Sequence, residues 1–195
     1  MRTATPHIAL IGMPAIGKTT VGRKLARIYA RPFVDLDHAI EESIGCSIAE
    51  YFERMGEVAF RDAEQRVLAE QVARAEPLVL STGGGVVLRE ANRAQLRAQC
   101  HVLYLTAKPE MLLRRVRNDR TRPLLQVADP LKRLQELYDA RHPFYSETAD
   151  HAIVADAGMR HILQTIEQAL KTHGIEPVLP ACTSDARSLN CHSPL

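Results

Sequence analysis

The chain contains no apolar run approaching the length of a membrane span, so a helical membrane anchor within it is not expected. Nor does one sign of charge dominate. Its 25 Lys and Arg against 23 Asp and Glu leave a formal charge of +2, too little to pull the whole molecule toward nucleic acid or an anionic membrane. Charge-driven recognition must therefore come from local clusters, and no nucleic-acid or membrane partner is expected. The cysteines Cys46, Cys100, Cys182 and Cys191 are scattered, with no CxxC pair and no metal-ligand spacing. The first seven residues lack the apolar core of a secretory signal. Reduced thiols in a cytoplasmic protein are the expectation. Repeats are absent as well.

What is present is an alternation of short apolar runs with amphipathic stretches over 195 residues. The length favours one domain, and the alternation predicts an α/β fold with a largely parallel sheet. Residues 7–12, 78–81, 102–106 and 152–155 are the expected strands. Their continuous hydrophobicity is what a strand covered by helices on both faces requires. Helices are expected over 18–29, from Asp129-Pro130 onward, and along the stripe Met159, Ile162, Leu163, Ile166 and Leu170. After about Lys171 the periodicity dissolves. Residues 1–173 are taken as the domain and 174–195 as a disordered tail.

The strongest signal is Gly12-Met13-Pro14-Ala15-Ile16-Gly17-Lys18-Thr19, a GxxxxGK[ST] match between a predicted strand and a predicted helix. Small residues let backbone N–H groups curl around phosphate oxygens, and the helix N-terminus adds a favourable dipole. Met13, Pro14, Ala15, Ile16, Gly17, Lys18, Thr19 and Thr20 are thus candidate ATP-binding residues. Lys18 supplies a cation to the β- and γ-phosphates, and the Thr19 hydroxyl is a Mg²⁺ ligand. The motif alone leaves the acceptor open.

Three further patches suit a small, anionic, hydroxylated acceptor. Asp35 and Asp37 lie two apart; in an extended segment both carboxylates face one way, available to metal organisation and to deprotonating a hydroxyl. Ser47 and Glu50 have capping-box spacing, and further on Glu64 stands three residues after Arg61, able to hold a guanidinium suited to a carboxylate. Gly83, Gly84 and Gly85 follow a strand, where open α/β sheets bind ligands and bare backbone approaches closely. Five arginines (114, 115, 117, 120 and 122) then crowd nine positions between predicted helices, which suits a lid over phosphates, at about 114–129. Arg141, expected at a helix end just before His142-Pro143, is a second carboxylate binder.

Taken in order, the P-loop with Val21-Gly22-Arg23, Asp35-Leu36-Asp37, Ser47-Ile48, Phe52, Gly56-Glu57, Phe60-Arg61, Glu64, Thr82-Gly83-Gly84-Gly85, Arg122-Pro123-Leu124-Leu125 and Arg141, Pro143 and Tyr145 resemble a shikimate kinase. The resemblance spans about residues 8–170. It implies a three-layer αβα P-loop fold with a central five-stranded parallel sheet, a lid and a shikimate-binding region. It also implies transfer of the γ-phosphate of ATP to shikimate, and a monomer. Asp37 matches the family's catalytic base, and Asp35 its Mg²⁺ organiser beside Thr19. Arg61 and Arg141 match the pair gripping the shikimate carboxylate, with Glu64 supporting Arg61. Gly83, Gly84 and Gly85 match its substrate loop, Arg122 its lid arginine, and Arg115 an arginine near adenine. The chain departs from the family at Ala15, where an extra glycine is common. Other readings are a gluconate or nucleoside-monophosphate kinase, or a non-catalytic P-loop module.

Overall fold

The computed structural model describes residues 6–116 and 129–178. Five strands form one parallel sheet: β1 (His7–Gly12), β2 (Phe33–Asp35), β3 (Val79–Ser81), β4 (Cys100–Thr106) and β5 (His151–Val154). Their spatial order is β2-β3-β1-β4-β5. β1 lies in the middle because it is buried along its whole length, residues 8–11 being wholly inaccessible. It pairs with β3 through Ile8–Val79 and with β4 from His7–Cys100 to Gly12–Leu105. A sheet of this order reverses direction beside β1, and ligands bind at the carboxyl ends of the strands flanking such a reversal.

The helices are α1 (Lys18–Ile28), α2 (Leu36–Ile44), α3 (Ile48–Val72), α4 (Glu90–Gln99), α5 (Pro109–Val116), α6 (Pro130–Thr148) and α7 (Met159–Lys171), with a 3₁₀ turn at Val86–Leu88. α1 packs on α7, while α4 packs on α3 and α6. The local reasons are legible. Asp129 caps α6 by accepting the Lys132 N–H at 3.0 Å, ahead of Pro130 in the first turn. Ser47 caps α3 through the Glu50 N–H. α3 is bent at Gly56 (φ 80°, ψ 175°), a conformation open essentially to glycine alone. The bend separates a first segment carrying Phe52 from a second carrying Arg61.

Three expectations change. Asp35 and Asp37 do not share an extended strand: the chain turns helical at Leu36, so Asp37 stands in the first turn of α2. Arg141 is not at a helix end, because α6 runs on through Pro143 to Thr148. A proline removes one backbone donor there, and the surrounding packing of buried Leu137 and Tyr145 keeps the helix continuous. The chain just past α7 is not loose: Ile175 is 2% exposed and its N–H returns to the Leu170 carbonyl. The tail beyond residue 178 and most of the expected lid, residues 117–128, lie outside the described residues.

Gly12 joins β1 to the P-loop with φ 141°, and a Cβ there would run into the Leu105 carbonyl oxygen of β4. Gly12→Ala is therefore expected to destabilise the protein by about 2–4 kcal/mol through strain and overpacking. Urea unfolding measures it; a loss below about 1 kcal/mol would show that the β1–β4 contact yields easily.

Candidate active site

The loop after β1 wraps the start of α1. Gly17 (φ 103°) occupies the N-cap and no side chain caps the helix. The first-turn N–H groups are thus left for an anion, the seat that a helix N-terminus offers to phosphate. Ala15 holds φ 65°, the left-handed region that glycine enters without strain. The loop keeps this backbone shape despite the missing glycine. Met13 and Ile16 anchor it in the core. Lys18, itself buried, lies across the loop base and donates to the carbonyls of Gly12 and Met13, each at 2.9 Å. Thr20 faces outward. Arg115 reaches from α5 to donate to the Ile16 carbonyl at 2.7 Å and to that of Ala155, so it ties the P-loop to the chain just after β5.

At the foot of the loop the Thr19 hydroxyl donates to Asp35 Oδ2 at 2.8 Å and lies 3.4 Å from the Ser81 hydroxyl. Asp35 ends β2 and caps α2, its Oδ1 accepting the Asp37 N–H at 3.2 Å. One carboxylate thus joins α1, β2 and α2. Sequence reading gave Ser81 no role. The signal lies in sheet register, which pairs Ser81 with Asp35.

Beside the P-loop lies a cavity of about 700 Å³, lined on one side by Pro14, Asp37 and the three glycines, and on the others by α3 and α6. Space is tight at all three glycines, most rigidly at Gly84, whose neighbour is a proline ring rather than the end of a flexible side chain. A Cβ on Gly83 would lie 2.6 Å from Asp37 Oδ1, one on Gly84 2.7 Å from the Pro14 ring, and one on Gly85 2.5 Å from the Arg61 guanidinium. Arg61 Nη1 donates to Glu64 Oε2 at 2.7 Å, and Nη2 lies 3.4 Å from Glu57. Glu64 is 1% exposed, so it orients Arg61 from behind. From α6, Arg141 donates to the Gly84 carbonyl at 3.0 Å, and the buried Tyr145 hydroxyl donates to the same oxygen. The Phe52 and Phe60 rings, 4.5 Å apart, form an apolar wall across the Gly56 bend.

Sequence reading missed Arg133, which also lines this cavity, just over two turns of α6 before Arg141. Helical spacing was the available signal. Asp37, Arg61, Gly83, Gly84, Gly85 and Arg141 all come together here, with Glu64 behind them. Arg122 lies outside the described residues.

The electrostatics divide the carboxylates. Desolvation in the cleft, then repulsion from Asp35, pushes the Asp37 carboxyl above its ordinary value, against the pull of Lys18 and Arg61. Burial likewise raises Glu64, opposed by its ion pair with Arg61. A raised carboxyl beside a cationic cluster is suited to taking a proton.

A parallel sheet in this order, a P-loop closing on α1, and beside it a cavity lined by arginines and an aspartate define a P-loop small-molecule kinase. The family model described as shikimate kinase matches residues 14–171. A shikimate kinase of Paracidovorax citrulli is 49% identical over 183 residues, covering 92% of this chain and 100% of that protein. One from Neisseria meningitidis serogroup C is 46% identical over 170 residues, covering 87% and 99%. Among solved structures, the shikimate kinase of Acinetobacter baumannii in complex with shikimate superposes with a TM-score of 0.81 at 42% identity, covering 88% of this chain and 95% of that one. A gluconokinase from Sinorhizobium meliloti, 17% identical with a TM-score of 0.57, shares the fold alone. This chain belongs to the shikimate kinase family.

The raised Asp37 value carries a stability consequence. In the unfolded chain the carboxyl keeps its ordinary value, so the penalty for its charge is absent below about pH 4 and complete above its folded value. Asp37→Asn is expected to raise the melting temperature of the ligand-free protein at pH 8 by up to about 3 °C. The gain should vanish by pH 4, followed by differential scanning fluorimetry; a loss of stability at pH 8 would reverse the sign assigned to this site.

Proposed function

We propose that the protein is an ATP-dependent shikimate kinase, transferring the γ-phosphate of ATP to the 3-hydroxyl of shikimate to give shikimate 3-phosphate and ADP. The observation that carries this reading is the convergence of Asp37, Arg61 and Arg141 on bare glycine backbone beside the P-loop. A hydroxylated monocarboxylate fits that arrangement. Its carboxylate pairs with the guanidinium groups of Arg61 and Arg141, its ring lies against Phe52 and Phe60, and its hydroxyls face Asp37.

The chemistry follows from placement. Phosphoryl transfer asks a protein mainly for positioning and charge stabilisation. The N–H groups of the P-loop and the first turn of α1 hold the phosphates, and Lys18 swings from the loop carbonyls to the β- and γ-oxygens. Asp37 accepts or orients the proton of the attacking hydroxyl as it approaches the γ-phosphate in line. The resemblance alone adds Arg115 as an arginine near adenine and Arg122 as the lid arginine neutralising charge on the transferred group.

Thr19 and Asp35 are hard oxygen donors 2.8 Å apart at the foot of the phosphate seat, the donor chemistry that Mg²⁺ takes together with substrate phosphates. When bound there, Mg²⁺ supplies charge neutralisation to the β- and γ-phosphates, with Asp35 acting directly or through water. Among the described residues no helix is long and apolar enough to cross a membrane. A monomer working in the cytoplasm, with small molecules as its only partners, completes the proposal.

ADP release from MgATP, measured by a coupled assay, should depend on shikimate and be absent with gluconate or nucleoside monophosphates. Release independent of shikimate would move the function to another acceptor or a non-catalytic role. In the same assay Asp37→Asn should lower kcat by about 10²–10⁴-fold, while ATP binding measured calorimetrically is retained. Unchanged turnover would remove Asp37 from the proton-handling role.

Arg61→Ala should raise KM for shikimate by about 30-fold or more, the loss expected from truncating a half-buried charge partner. KM for ATP should change no more than about twofold. Equal losses for both substrates would contradict the assignment of Arg61 to the acceptor.

A further inference from the structure

At the end of the strands opposite the P-loop, three histidines from three elements come together. His101 is the second residue of β4, His151 the first of β5, and His173 follows the C-terminal turn of α7. Each offers one ligand nitrogen, and these atoms all lie within 4.8 Å of one another. The ring centroids are 4.6 Å apart for His101 and His173, 5.0 Å for His151 and His173, and 5.3 Å for His101 and His151.

The cluster is positioned by rigid parts of the fold. His101 is 3% exposed at the start of a strand buried almost throughout. β5 pairs with β4 from its first residue, His151 standing opposite Leu103. His173 is held because the Leu170 carbonyl accepts both the His173 and Ile175 N–H groups, and Ile175 is packed into the core. His151 and His173 reach solvent, so the group is open on one side.

We propose that His101, His151 and His173 form a binding site for a divalent late-transition-metal ion of the zinc type. Three imidazoles favour zinc, nickel, cobalt or copper ions over magnesium or calcium. That is the opposite preference to the oxygen donors Thr19 and Asp35. Zinc–nitrogen bonds of about 2.0–2.1 Å in a tetrahedral site put neighbouring ligand nitrogens about 3.3 Å apart. His151 Nε2 and His173 Nδ1 are 3.4 Å apart. The ion takes the place of the proton on His173 Nδ1, which moves to Nε2 of the same ring.

The exposed Asp150 carboxylate lies 3.8 Å from His101 Nδ1 and is itself fixed by the Val102 N–H at 2.7 Å. At that distance it is a charge contact rather than a hydrogen bond; it favours a proton on Nδ1 and leaves Nε2 of His101 as the nitrogen for the ion. Thr172 Oγ1 is 3.0 Å from His173 Nδ1 and donates to the Ala169 carbonyl, which also lies 3.3 Å from Nδ1, so the ring must turn from these two acceptors to bind the ion. With three protein nitrogens, the fourth position goes to water. The bound ion clips β4, β5 and the end of α7 together. It makes fold stability depend on zinc without touching the phosphate site.

The test uses the full-length protein without a histidine tag at pH 7.5, titrated calorimetrically with ZnCl₂ and, for ligand-field absorption, with CoCl₂. The expected result is one equivalent bound with Kd of about 10 μM or tighter, weakened at least about tenfold by His151→Gln and by His173→Gln. Both substitutions are at solvent-accessible positions, and circular dichroism checks that the variants fold. Asp35→Asn and His38→Gln should bind as the parent does. ZnCl₂ at about 100 times the parent's Kd should raise the melting temperature of the parent by about 5 °C or more and that of His173→Gln by no more than about half as much. Zinc binding of parental strength in both histidine variants would overturn the proposal, as would no binding by the parent at 1 mM or below (about 100 times that Kd).

Discussion

The acceptor cavity is organised around three residues of bare backbone after β3. Asp37, Pro14 and Arg61 each approach Gly83, Gly84 or Gly85 to within the space a single methyl group would fill. The Gly84 carbonyl then receives Arg141 and Tyr145 from α6. Four separate parts of the chain are therefore registered against one short loop: the P-loop, α2, α3 and α6. Close packing of this kind transmits displacement, since interiors leave no slack for a methylene. A larger residue at any of the three positions would force Asp37, Pro14 or Arg61 to shift.

A second constraint links the phosphate seat to that cavity. Asp35 accepts the Thr19 hydroxyl with one oxygen and the Asp37 N–H with the other. The residue proposed to organise the metal thereby sets the first turn of α2, and with it the direction of Asp37. The same pair sets the electrostatics, because Asp35 is second only to desolvation in raising the Asp37 carboxyl. Positioning and proton affinity come from one arrangement, and the resulting charge strain is a cost in stability carried by a functional site.

Much of this was legible in the chain. Burial on both faces makes the central strands continuously apolar, so β1 and β4 were found close to their limits. The GxxxxGK[ST] string carries its own mechanism, because its small residues and its lysine are adjacent in sequence. Failures occurred where a local rule met a tertiary one. Period-two reasoning for Asp35 and Asp37 assumed an extended backbone, whereas the Asp35 side chain starts a helix at Leu36. Proline was read as a stop after Arg141, yet α6 continues because its buried face outweighs one lost hydrogen bond. Ser81 gains its role only from sheet register with Asp35, and Arg133 only from its helical spacing to Arg141 on α6.

The amino-acid sequence by itself determined the class of sheet and the phosphate loop and named most of the charged groups that line the cavity beside it, because each rests on short-range periodicity or on a contiguous motif. Tertiary structure alone decided which groups meet. Arg61 and Arg141 lie eighty residues apart, and His101, His151 and His173 span more than seventy. Their encounters depend on the order β2-β3-β1-β4-β5 and on where α3, α6 and α7 pack. Side-chain spacing along a chain carries no record of such distances, since a strand pairing or a helix packing can bring any two positions together once their apolar faces are buried.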